Sequence, residues 1–391
     1  MTAPVGPSPR QDPTPLPSQP RDLKSHTAAS AAMLLALLLV AQAATPPKEL
    51  VLVKAAHLID GTTDAPRDGL AVLIEGDRIK EVGPAAQLAG RAQRVIDLGN
   101  ATLLPGLIDA HTHVLLQGDI TAADYDDQLL KESIAYRALR ASAAARTALL
   151  NGFTAIRDLE TEGAMYADVD VKTAIARGVI PGPRMFVVTR AMAPTGMYPL
   201  LGYSWELHLP EGVQIVDGPD NIRKAVREEV KYGADWIKFY ADRRYYLTND
   251  AKKPLRSMVN FTDEELKALI GEAHRLGKKV AAHAMGWDGI DAALRAGVDS
   301  IEHGDGLTTD LLERMAREGV SWCPTMYVGV YVAQGRGGIW PEMVDREPGQ
   351  RTFHHGSLWN GAYEGDPIGH QRGRGLAGPA LPAASARLRP L

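Results

Sequence analysis

The chain has 391 residues, 45% hydrophobic and 23% charged, which is ordinary globular composition and length enough for one large domain or two. A formal charge of -4, with no arginine-rich stripe interleaved with aromatics, excludes a basic surface for nucleic acid. The single cysteine, Cys323, excludes an intramolecular disulfide framework and any multi-cysteine zinc site, and in the apolar run VSWCP it reads as a small buried residue.

Residues 1–26 are rich in Pro and Ser and carry Arg10, Arg21 and Lys24. An apolar run follows and ends in Ala41-Gln42-Ala43, the order of an export signal, so residues 1–44 are expected to be a signal peptide. The basic region is long, which points to a true start downstream of Met1. The apolar stretch is short for a membrane span and meets Pro46-Pro47 at once, which favours cleavage over an uncleaved anchor. The mature chain is therefore expected to be exported, periplasmic or secreted, with no stable membrane insertion.

From Glu49 to Asn100 short runs rich in Val, Ile and Leu alternate with Gly, Asp and Pro turn signals. They predict a small antiparallel β-layer within residues 45–102. Beyond Pro105, six helical-looking segments end at Gly152, Gly178, Gly233, Gly277, Gly297 and Gly319, each followed by an apolar run. Glycine past a helix end supplies the left-handed residue that closes it. In FTDEELKALIGEAHRLG, Leu266, Leu269 and Ile270 share one face, and Thr262 with Glu265 forms a capping box. With LLPGLIDAH as the first, seven strands result, six of them led by a helix. Alternating strands and helices imply a parallel sheet buried on both faces. The α/β fold expected over residues 103–353 is a (β/α)8 TIM-type barrel with one unit unaccounted for; an open doubly wound sheet is the runner-up.

Active sites of such barrels lie at the carboxyl ends of the strands. The first strand ends in His111 and His113, which share a face because strand side chains alternate. The fourth, DWIKFYAD, carries Lys238; the fifth ends with His283 and the sixth with His303. Taken singly, each histidine reads as a hydrogen-bonded strand end and Lys238 as a snorkelling side chain. Five such residues at one mouth suit a metal centre instead. An ammonium beside a metal is repelled and costs several kcal/mol to bury unpaired. Lys238 makes sense there if neutralised, or converted by carbon dioxide into a carbamate.

This set of H-x-H, strand-four Lys, strand-five His and strand-six His resembles the amidohydrolase superfamily. The phrases LLPGLIDAHTHV, GADWIKFYAD, VAAHA and AGVDSIEHG resemble its prolidase-like and imidazolonepropionase-like branch, from about Glu49 to Met326. The resemblance implies two divalent ions, usually zinc. His111 and His113 would hold one, His283 and His303 the other, with carboxylated Lys238 bridging. It implies a bridging hydroxide as nucleophile and a small amide or peptide as substrate. Tyr240 shares a face with Lys238 and could donate to the developing oxyanion, or simply fill the barrel top. Arg157 and Asp158 end the second strand, as supporting groups or a strand-end ion pair; Arg157 is also a substrate candidate. The loop RAMAPTGMYP lacks the Gly-Gly-His element common in related sequences, which leaves Tyr198 as the substrate candidate there.

The branch has an eighth strand ending in a metal-binding Asp, and no such run follows Met326. Asp345 and Asp366 do not end apolar runs, and residues 371–391 carry no acidic residue and no strand or helix pattern. Residues 354–391 read as a disordered tail, and a frame change or truncation near Phe353–Gly356 is the economical explanation. Three readings result: an exported metallohydrolase of carbon–nitrogen bonds, impaired by the missing Asp; a metal-binding relative without activity, or a cyclic-amide hydrolase; and a binding protein using the barrel mouth.

Overall fold

The computed structural model describes residues 48–116, 125–197, 203–250 and 252–327. Residues 1–44, read above as an export signal, together with Tyr198, Asp345, Asp366, residues 354–391 and any eighth strand, lie outside the described residues. The chain divides into two compact units, one ending at Leu104 and one beginning at Pro105.

In the first unit, strands Arg78–Pro84, Leu70–Glu75, Leu50–Lys54 and Arg94–Asp97 form one sheet in that order. Leu52, Ala71, Leu73 and Leu88 are its buried core. The expected antiparallel layer is corrected to a mixed one, because Leu50–Lys54 runs antiparallel to Leu70–Glu75 but parallel to Arg94–Asp97. The reason lies in the connection: helix Ala85–Leu88 carries the chain across before the last strand, so that strand returns in the same direction.

The second unit supplies all seven expected strands. They are β1 (Leu107–Thr112), β2 (Phe153–Asp158), β3 (Arg184–Val187), β4 (Trp236–Tyr240), β5 (Lys279–Ala284), β6 (Ser300–His303) and β7 (Ser321–Cys323). Six helices lead β2 to β7: α1 (Ile134–Leu150), α2 (Ala167–Ala176), α3 (Pro219–Tyr232), α4 (Asp263–Arg275), α5 (Trp287–Ala296) and α6 (Thr309–Glu318). The six glycines that follow them all have positive φ, from 70° to 113°, and the Thr262–Glu265 capping box is formed at the start of α4.

Every pairing among these seven strands is parallel. One sheet runs β3-β2-β1; the other runs through the short strands Gln214–Ile215 and Met192–Ala193 to β4-β5-β6-β7. The two adjoin where Asp235 N donates to Val187 O at 2.8 Å. Sequential neighbours with no reversal of order are the winding of a barrel rather than of the doubly wound sheet. No closed barrel is formed among the described residues: β1 and β7 each pair on one side only. Ile108 on β1 accordingly stays 72% exposed, whereas Val280, Ala281 and Ala282 of β5 are fully buried.

Helices α3 to α6 bury Ile222, Val226, Leu266, Leu269, Ile290 and Leu311 with Ile237, Phe239, Val280 and Ile301 of the sheet in one continuous core. Directly after the carboxyl end of β4 comes an antiparallel hairpin, Asp242–Leu247 with Leu255–Val259, that was not expected from sequence.

Candidate metal centre

The carboxyl ends of β1, β4, β5 and β6 bring the five singled-out side chains to one place. Ring centroids lie 5.2 Å apart for His111 and His113, 4.9 Å for His111 and His303, and 4.6 Å for His283 and His303. Lys238 is 1% exposed, with Nζ 5.5 Å from the centre of the Tyr240 ring. His303 holds a left-handed backbone, φ 70°, a conformation that costs a non-glycine residue free energy and collects at functional sites.

Hydrogen bonds fix which nitrogen of each ring carries the proton. His111 Nδ1 lies 2.9 Å from Oε2 of Glu302, and His113 Nδ1 lies 3.4 Å from the Glu160 carbonyl. Both partners are acceptors, so Nδ1 is protonated in each ring and the lone pairs sit on Nε2. Those two Nε2 atoms are 3.2 Å apart. Burial holds both imidazoles neutral: His111 falls well below its ordinary value and His113 to about 3, with the Lys238 charge adding to both. Two lone pairs facing each other repel, and a cation between them removes the repulsion. The donor set therefore fits a divalent metal ion.

The other two histidines are held as firmly. Tyr245 Oη donates to Asp242 Oδ1 at 3.2 Å and lies 2.9 Å from His283 Nε2. His303 Nδ1 lies 2.8 Å from Thr325 Oγ1. Burial lowers the Lys238 pKa, against the raising influence of the Glu302 and Glu160 carboxylates.

Arg157 stands behind His111. Its Nε donates to Ala110 O and its Nη2 to Glu302 Oε1, each at 2.7 Å, and its guanidinium stacks 4.6 Å from the Trp236 ring. Asp158 accepts from Val114 N at 2.7 Å and Thr112 Oγ1 at 3.2 Å, which ties the turn after β1 to β2. Tyr240 gives its proton to Glu160 Oε2 at 2.6 Å, so donation to a substrate requires that bond to open.

Several residues here escaped the sequence reading. Glu302 is fully buried and accepts from Arg157, Ser300 and His111. A charged residue inside the apolar strand SIEH was the available signal. Glu160 and Glu162, two apart beyond β2, stand beside His113. Cys323, expected to be a small buried residue, is partly buried and groups with His111 and Glu302 as a set of potential metal donors. Burial pushes its thiol up to about 11.

A profile described as the amidohydrolase family matches residues 102–321, more than half of the chain. The chain belongs to the amidohydrolase family. Within that family it is 29% identical to the ochratoxinase of Aspergillus niger over 311 residues, covering 73% of this chain and 61% of that protein. The ochratoxinase crystal structure superposes with a TM-score of 0.60 at 28% identity, covering 74% of this chain and 68% of that one. A Xaa-Pro dipeptidase with bound methionine in its active site gives a TM-score of 0.63 at 30% identity, covering 73% and 69%. The imidazolonepropionase of Micrococcus luteus is 24% identical over 259 residues, 64% of this chain and 60% of that protein. The family's structures are of the TIM-barrel type, in agreement with the winding of this amidohydrolase.

Proposed function

We propose that this amidohydrolase is an exported, binuclear metal-dependent hydrolase that cleaves a carbon–nitrogen bond in a small amide such as a dipeptide or N-acyl amino acid. The fold proposed for it is a (β/α)8 barrel. The observation that carries the reading is the pair of Nε2 lone pairs of His111 and His113, 3.2 Å apart beside the buried Lys238. The names of the dipeptidase and ochratoxinase relatives support a hydrolase.

His111 and His113 would hold one ion and His283 and His303 the other, with Lys238, carboxylated by carbon dioxide, between them; zinc suits the imidazoles. When bound, the ions would polarise the scissile carbonyl and bring the pKa of a water near neutrality. The chain's own residues set the stage for this. Glu302 and Arg157 hold His111 in the tautomer that presents Nε2, and Tyr245 and Thr325 do the orienting for His283 and His303. A low pKa favours the uncharged amine of Lys238, the form that reacts with carbon dioxide. Tyr240 stands on the same face and would supply a proton to the oxyanion once released from Glu160.

The test is turnover of a panel of Xaa-Pro dipeptides, other dipeptides and N-acyl amino acids by protein reconstituted with Zn2+ in bicarbonate. Turnover that stops on chelation and in His111→Ala/His113→Ala is expected. Full metal loading with no turnover on any member would favour the metal-binding relative without activity. Export rests on the segment ending at Ala41-Gln42-Ala43, and a mature terminus near Ala44 or Thr45 is expected on sequencing.

A further inference from the structure

The hairpin that follows β4 stands at the same end of the strands as the histidines. At its root Ala241 N donates to His283 O at 2.8 Å. Asp242, fully buried, accepts from Met285 N at 3.2 Å and Gly286 N at 2.8 Å just beyond β5. Side chains of a strand alternate in direction, so the next residue, Arg243, leaves on the opposite face. Its Nη1 donates to Gly196 O at 3.2 Å, in the loop that follows the short strand Met192–Ala193. That strand is parallel to β4, so its loop also lies at the carboxyl end, where Met197 shares a buried cluster with Tyr240. Arg243 thus spans two loops on the rim of the mouth.

The other arginines around this end are committed to carboxylates. Arg157, the substrate candidate read from sequence, is bound to Glu302, and Arg190 to Glu228 and Glu229. Arg256, on the other strand of the hairpin, is bound to Asp288. Arg243 pairs with no carboxylate among the described residues, and its Nε is buried with no hydrogen-bond partner among them. A guanidinium stays charged and offers five N–H donors in a planar fork. With Nη1 used on Gly196, what remains is the edge formed by Nε and Nη2. That edge matches the two oxygens of a carboxylate, and a buried N–H costs free energy until an acceptor meets it. Only the one main-chain bond restrains the head of the side chain, so a small turn presents this edge to the mouth.

We infer that Arg243 anchors a free carboxylate of the substrate, and that the substrates of this site are small amides bearing one. The inference rests on the proposed reading of the mouth as a hydrolytic site and narrows its substrate class. The anion is held at the rim through Nε and Nη2 while the amide reaches down to the histidines. Amides whose acid is absent, esterified or amidated lose the anchor. Arg243 is a binding residue in this account and touches no reacting atom.

The probes are hydrocinnamate and hydrocinnamyl alcohol, an acid and its uncharged counterpart. Neither contains an amide, so calorimetry on full-length, Zn2+-reconstituted protein reads binding apart from turnover. The variants are Arg243→Gln and Arg243→Lys, with circular dichroism confirming that each folds; the lysine variant serves if the glutamine one does not. Wild type is expected to bind the acid about ten- to a hundredfold more tightly than the alcohol. Arg243→Gln should lose about tenfold or more in affinity for the acid and none for the alcohol. Arg243→Lys should fall between, because lysine keeps the charge but not the paired donors. Equal affinity for the acid in wild type and the folded variants, a parallel loss of both probes, or no preference for the acid in wild type overturns the inference. Turnover of the amide panel by wild type beside any of those results leaves the hydrolase reading standing while this one falls. Arg243-dependent binding of the acid with no turnover on any member does the reverse.

Discussion

Replacing Glu302 by Gln keeps the shape of a fully buried side chain and removes its charge, and the consequences can be worked through bond by bond. The carboxylate accepts from Ser300 Oγ at 2.6 Å, Arg157 Nη2 at 2.7 Å and His111 Nδ1 at 2.9 Å. Gln offers one acceptor oxygen where three donors converge, and its amide must face one of them. Breaking a buried ion pair by removing one partner costs about 3–5 kcal/mol. Arg157 keeps its bond to Ala110 O and its stacking on Trp236, so the lower end, about 3 kcal/mol, is expected for the metal-free protein. That is a large part of the roughly 5–15 kcal/mol that holds a domain together. The second effect is on the metal. An amide turned toward His111 Nδ1 makes that nitrogen an acceptor and moves the ring proton to Nε2, where it blocks the lone pair. Loss of such an orienting partner lowers metal affinity about ten- to a hundredfold. Urea unfolding in chelator reads the first effect, and competition with a chromophoric chelator reads the second. If Glu302→Gln bound Zn2+ within about twofold of wild type, against the expected range, the tautomer argument would be refuted even though the fold had been weakened.

Lys238→Ala should lower the content of both metals, and bicarbonate should aid reconstitution of wild type; an unmodified lysine in a fully metallated structure would rule out the bridging role. Tyr240→Phe strips Glu160 Oε2 of its donor and should cost about 1–3 kcal/mol in metal-free protein, measured by urea unfolding. Asp168 is buried in α2, and burial raises its carboxyl from 3.8 to about 7. A raised folded-state pKa means stability fully present below pH 3.8 and lost as the pH climbs through 7, with an upper bound of about 4 kcal/mol at roughly 1.4 per pKa unit. Asp168→Asn should therefore flatten the wild type's loss of stability over that window, and an unchanged slope would show that the group is not protonated on folding.

The repeating part of the fold was legible because its signals are local. A glycine at positive φ closes each of the six helices, and the run after it is apolar because the parallel strand is covered by helices. The same locality made His111, His113, Lys238, His283 and His303 readable, since strand ends can be located along the chain. Residues whose role depends on pairing across the fold were not readable. Glu302 becomes intelligible only when Arg157, 145 positions away, is seen against it. Glu160 and Glu162 look like a solvated turn until Arg137 and Tyr240 are found to bury them. The hairpin Asp242–Leu247 with Leu255–Val259 was hidden for another reason: its pairing shifts register between Arg243 and Tyr246, which breaks the alternation that would announce a strand pair. In the first unit the strands were visible but the parallel partner of Leu50–Lys54 was not, because direction is set by the connection and not by the strand.

The central claim is that the mouth of these strands holds metal through His111 and His113, and elemental analysis tests it most directly. Full-length wild type and His111→Ala/His113→Ala, purified side by side without added metal, are compared for bound divalent ions per chain. Tightly held metal in the wild type, with most of it gone from the folded double variant, is the expected result. Equal metal content in the two proteins would contradict the account.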